Sequence, residues 1–124
     1  MAQRILVVED DKELRQLVSL SLRKVGYEVM ETGIGSAVIP LAIQHKPDLI
    51  ILDIILPKGS GIDVSSELRK NPETQGIKIM MMTALTSGST MSNAHWRQQY
   101  GVEEFITKPF QINFLVGRAQ WLLQ

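Results

Sequence analysis

Short apolar runs and amphipathic stretches of helical period alternate along this chain about five times, and no other feature constrains its fold as strongly. RILVV (4–8), YEVMET (27–32), DLIILDI (48–54), IKIMMMT (77–83) and EEFIT (103–107) read as strands. Between them, Leu14, Leu17, Val18, Leu22 and Val25 recur at helical spacing up to Gly26. SAVIPLAIQH (36–45), GIDVSSELRKN (61–71), TMSNAHWRQQY (90–100) and the closing QINFLVGRAQWLL (111–123) read as further helices. A strand–helix alternation of this kind predicts a parallel sheet with helices on both faces. In such sheets the ligand site lies outside the carboxyl ends of the strands, where the strand order reverses.

The remaining constraints are mostly exclusions. At 124 residues and 44% hydrophobic, the chain reads as one domain, residues 1–124, with enough apolar side chains for a core. Thirteen Lys and Arg balance thirteen Asp and Glu, so bulk charge gives no case for direct nucleic-acid binding or an anionic membrane surface. The absence of cysteine excludes disulfides, thiolate metal sites and cysteine nucleophiles. The first apolar run is too short for a signal-peptide core or a membrane span, so a cytoplasmic protein is expected.

The strand ends carry the chemistry. The first ends in Glu9-Asp10-Asp11, the third in Asp53, the fourth in Thr83-Ala84 and the fifth in Lys108-Pro109. Taken alone, the three acids would be a helix cap, and Asp11 fits that role. Asp53 is different, because it sits inside LIILDIIL, where an acid is costly unless it has partners. Carboxylates gathered at one edge repel one another and raise each other's pKa, so a cation must offset them. Mg²⁺ is suited to the task, since it takes oxygen ligands and needs only one or two protein carboxylates plus phosphate. Lys108 would add a fixed positive charge and Thr83 a hydroxyl for a phosphoryl oxygen. A remaining carboxylate can act as a nucleophile toward phosphorus.

LVVEDD, DLIILDIILPKGSGID, MMTAL and FITKPF, in this order, resemble the receiver domain of two-component response regulators over essentially the whole chain. The resemblance implies a flavodoxin-like (βα)5 fold with strand order 2-1-3-4-5. It also implies that Asp53 is the phosphoacceptor. Glu9, Asp10, Asp53 and the backbone carbonyl of Ile55 would hold Mg²⁺. Thr83 would be the switch hydroxyl, Lys108 the partner of the phosphoryl oxygens, and Phe105 the aromatic switch, with a cis Lys108-Pro109 bond. The implied partner is a sensor histidine kinase or a phosphotransfer protein, with a possible homodimer through the face formed by the fourth and fifth helices. Such a module is a switch rather than a metabolic enzyme. The alternatives are a Mg²⁺-dependent small-molecule phosphatase or phosphotransferase, and a pseudo-receiver that works by binding alone.

Other features read more plainly. Gly33-Ile34-Gly35 follows a strand and opens a helix, but Val38 occupies the third small position, so the dinucleotide fingerprint fails and these glycines are taken as turn formers. His45 suits a helix C-terminus, and His95 has no partner pattern. Pro40 is expected to kink or shorten the second helix. Residues 85–100 run about three longer than the family pattern, and a shifted fourth helix is expected there. Ile55 and Leu85 stand at the two positions that tune phosphoryl lifetime in the family. Both are apolar and unable to orient water by hydrogen bonding, which predicts slow self-dephosphorylation.

Overall fold

The computed structural model describes residues 2–84 and 101–124. Strand β1 (Arg4–Val8) leads into helix α1 (Lys12–Lys24), then β2 (Glu28–Thr32). A 3-10 turn over Gly35–Ala37 opens α2 (Val38–His45), and β3 (Leu49–Asp53) follows. A short antiparallel hairpin comes next, β4 (Ile55–Leu56) with β5 (Gly59–Ser60), then α3 (Gly61–Lys70) and β6 (Lys78–Thr83). The last elements are β7 (Glu104–Thr107) and α4 (Ile112–Leu122). The helix read over 90–100, His95, Leu85 and the shifted fourth helix lie outside the described residues.

The five main strands form one parallel sheet in the order β2-β1-β3-β6-β7. In chain order these are the second, first, third, fourth and fifth main strands, so the expected flavodoxin-like order is observed. The order reverses between β1 and β3, which places the crevice at the carboxyl ends of those two strands.

Period-two alternation explains why the strands read as continuous apolar runs. Leu6, Val8, Ile50, Leu52, Ile79, Met81 and Phe105 pack on one face with Val38 and Ala42 of α2 and Leu68 of α3. Ile5, Val7, Leu49, Ile51, Met80, Met82 and Ile106 pack on the other with Val18 and Leu22 of α1 and Leu115 and Ala119 of α4. Both faces are covered, so neither set of positions can be polar. Each fully buried large side chain contributes about 1.5–3 kcal/mol.

The second helix comes out shorter than the 36–45 reading. Pro40 is the third residue of α2, in the first turn, where a backbone N–H has no intrahelical acceptor. The helix therefore continues past it to His45, and its start is tightened into the 3-10 turn. The PKGSG stretch (57–61) completes a hairpin with Ile55 and Leu56, with Lys58 at φ 61 and Ser60 capping α3 by accepting from the Ile62 amide.

Candidate functional site

Sheet register brings the acids together. Val8 pairs with Leu52, so the residues that follow them, Glu9 and Asp53, come side by side at the carboxyl ends of β1 and β3. Thr107 pairs with Thr83, and the Lys108 amide donates to the Thr83 carbonyl at 2.7 Å, so Lys108 enters from the far side of β6. Its ammonium spans that gap and donates to Asp53 Oδ2 at 2.7 Å and Glu9 Oε1 at 2.5 Å.

Each acid is held differently. Asp53 is buried, and its Oδ1 accepts from the Ile55 amide at 2.9 Å. Glu9 is 1% exposed, and its Oε2 accepts from the Asp11 amide at 3.2 Å. Asp10 is exposed. Asp11 caps α1, with Oδ1 accepting from the Glu13 and Leu14 amides at 3.0 and 3.2 Å. The acidic triplet thus divides into a buried carboxylate, an exposed one and a cap.

One carboxylate oxygen from each of Glu9, Asp10 and Asp53 lies within 4.8 Å of the others, an oxygen-only set that could hold a hard cation. Burial is the main influence on Glu9, pushing its carboxyl from 4.5 to about 7. The Lys108 hydrogen bond opposes this, the neighbouring Asp53 adds to it, and the Asp11 amide opposes it. The expected repulsion between acids is present here but is secondary to desolvation. For Lys108, burial acts to lower the pKa, but hydrogen bonds to Asp53 and Glu9, together with their charges, raise it on balance.

Thr83 is buried at the carboxyl end of β6, beside the crevice. Phe105 is 3% exposed and belongs to the core beneath the site. Ile55 meets Asp53 through its amide, and its side chain is 53% exposed. The Lys108-Pro109 bond is cis, as the resemblance implied.

Gly61 has a packing role that its place in PKGSG only hinted at. A Cβ there would lie 2.2 Å from the Asp53 carbonyl oxygen, and its amide donates to the Ile54 carbonyl at 2.7 Å. The start of α3 therefore rests directly on the backbone that presents Asp53. Sequence reading also missed Arg15, whose Nη1 donates to the Glu9 carbonyl at 2.7 Å. The available signal was its place four residues after the Asp11 cap, since side chains in a first helical turn lean toward the N-terminus.

A five-stranded α/β fold with acids and a lysine converging at the switch point matches the response regulator receiver domain model over residues 5–120, and the chain belongs to that family. Over 121 residues it is 36% identical to the DNA-binding dual master transcriptional regulator RpaA of Synechocystis, covering 98% of this chain and 49% of that protein. It is 32% identical to the phosphate regulon transcriptional regulatory protein PhoB of Pseudomonas aeruginosa, covering 100% of this chain and 53% of that protein. The chain thus spans about half the length of these curated relatives. Among solved structures, the BeF3-activated N-terminal receiver domain of Klebsiella pneumoniae RstA superposes with a TM-score of 0.83 at 28% identity, covering 98% and 99% of the two chains. A response regulator receiver domain from Francisella gives 0.85 at 26% identity, covering 97% and 95%.

Proposed function

We propose that residues 1–124 act as one phosphoacceptor module that takes a phosphoryl group onto Asp53 and passes the change on as a conformational signal. The observation that carries this reading is the Asp53 carboxylate, buried at the switch point yet 2.7 Å from the Lys108 ammonium and grouped with Glu9 and Asp10. In the forward step an Asp53 oxygen forms a bond to phosphorus as the donor's P–N or P–O bond breaks, and the leaving group takes the electron pair. Lys108 neutralises charge on the phosphoryl oxygens, and the Thr83 hydroxyl donates to one of them. Glu9, Asp10, Asp53 and the Ile55 carbonyl would hold Mg²⁺, which supplies charge neutralisation when bound.

The new phosphate charge then biases a two-state element that includes Thr83 and Phe105. The proposed donors are a sensor histidine kinase or a phosphotransfer protein in the cytoplasm, and homodimerisation is a proposed readout. Receiver domains of this family are generally not classical enzymes, and the role proposed here is that of a switch. Among the described residues no helix is long and apolar enough to cross a membrane.

Intact mass after incubation with acetyl phosphate and Mg²⁺ tests the reading. Wild type should gain one phosphate-sized increment and Asp53→Ala none. No increment in wild type, or an increment that survives in the mutant, would refute it.

A further inference from the structure

Asp10 is exposed, yet a carboxylate oxygen of it lies within 4.8 Å of those of Glu9 and Asp53, so its placement depends on the backbone of the loop it shares with Glu9. Among the described residues, three contacts hold that backbone. The Glu9 amide donates to the Thr32 carbonyl at 3.1 Å, the Asp11 amide donates to the Glu9 carboxylate, and Arg15 Nη1 donates to the Glu9 carbonyl at 2.7 Å. Only the last comes from a side chain outside the triplet. Arg15 is in turn anchored by Glu31 of β2, whose carboxylate is 3.6 Å from its Nε and 3.2 Å from Arg23.

Gly33 completes the arrangement. A Cβ at this position would lie 2.8 Å from Arg15 Nη1 and 3.4 Å from both Asp10 Cα and the Glu9 carbonyl oxygen. The first contact is too close, while the other two are at the near limit of ordinary van der Waals contact, so the glycine leaves the space that the guanidinium fills against the loop. Its backbone φ is not in the left-handed region, so spatial fit, not conformational freedom, is what selects glycine here.

We propose that Arg15, seated over Gly33, is a positioning residue that sets the Glu9–Asp10 loop for divalent-cation binding. This rests on the functional reading above. The sign of the effect separates positioning from plain electrostatics. Deleting a cation close to a cation site should tighten metal binding if charge alone mattered. Deleting a group that orients the ligand loop should weaken it, by about 10-fold or more, as supporting contacts around metal ligands usually do.

The test is calorimetric titration of the whole chain with Mg²⁺ alone, in wild type, Arg15→Ala, Arg15→Lys, Gly33→Ala and the Arg15→Ala/Gly33→Ala double variant. Arg15→Ala should weaken Mg²⁺ binding about 10-fold, and Arg15→Lys, which keeps one donor, should recover part of that. Gly33→Ala should weaken binding because its methyl displaces the guanidinium. In the Arg15→Ala background it should add little, since the displaced group is already gone. Arg23→Ala removes the same charge from Glu31 without touching the loop and should leave Mg²⁺ affinity unchanged. The labelling rate with acetyl phosphate should fall at low Mg²⁺ and recover at saturating Mg²⁺. Unchanged or tighter binding in Arg15→Ala, or fully additive losses in the double variant, would overturn the proposal while leaving the phosphoacceptor reading intact. A wild type that binds no Mg²⁺ would refute both.

Discussion

Lys108→Met tests the charge balance at the site most directly. It removes the ammonium and keeps an unbranched stem. The lost donor sits 2.7 Å from Asp53 Oδ2 and 2.5 Å from Glu9 Oε1, and those side chains are 6% and 1% exposed. Breaking a buried ion pair by deleting one partner costs about 3–5 kcal/mol. Lys108 itself is 22% exposed, so water reaches the gap and the lower end applies, about 3 kcal/mol with both acids ionised.

Protonation offers an escape that depends on pH. Burial holds the Glu9 carboxyl at about 7, against 4.5 in the unfolded chain, so between those values the metal-free folded state keeps a proton that the unfolded state releases. The stability tied to Glu9 is therefore complete below about 4.5 and drains away as pH rises through 7, by at most about 1.4 kcal/mol per pH unit. Near pH 6 Glu9 is already protonated, only Asp53 loses a partner, and the mutant's cost should fall to about 1.5 kcal/mol. Losing the Lys108 hydrogen bond, which lowers the Glu9 pKa, should also carry the pH-dependent window higher than in wild type.

Urea unfolding followed by far-UV circular dichroism in EDTA, at about pH 6 and about pH 8, measures both costs. Repeating it with Mg²⁺ should restore more stability to the mutant than to wild type, because the ion replaces the missing charge without competition from the ammonium. An equal cost at the two pH values, or a mutant as stable as wild type at about pH 8, would refute the reasoning.

Three further outcomes are expected. Ser19 is fully buried on α1, and its hydroxyl has no hydrogen-bond partner among the described residues. Ser19→Ala should therefore be neutral or stabilising by up to about 1 kcal/mol in the same urea assay. Gly61→Ala forces a methyl onto the Asp53 carbonyl, where backbone cannot yield cheaply, so it should cost about 2–4 kcal/mol in urea and slow labelling by acetyl phosphate. Ile55→Asn places an amide at the exposed position next to Asp53, where it can orient water, and should shorten the phosphoryl half-life measured by intact mass.

Much of the molecule follows from sequence pattern, because burial on both faces of a parallel sheet demands continuous apolar strands, and helices demand a period near 3.6. That logic located the five strands to within about a residue and made Asp53 conspicuous as an acid in an apolar run. It also separated Asp11, a helix cap, from its acidic neighbours. Pattern was silent where spacing in the chain does not report spacing in the fold. The PKGSG stretch reads as a turn, and only its approach to the Asp53 carbonyl shows why Gly61 must lack a side chain. Gly33 read as a turn former for the same reason.

The sequence alone determined the class of fold, the identity of the residues at each strand end and the excess of carboxylate among them, since these depend on local pattern and side-chain chemistry. The tertiary structure decided which of those residues meet. Register sets Glu9 beside Asp53, the length of a lysine side chain carries Lys108 across β6 to both, and Arg15 reaches back over Gly33 to the loop that holds Asp10. The Glu9 carboxyl is pushed up to about 7 only because the folded chain takes it out of water, and no reading of VVEDD contains that burial.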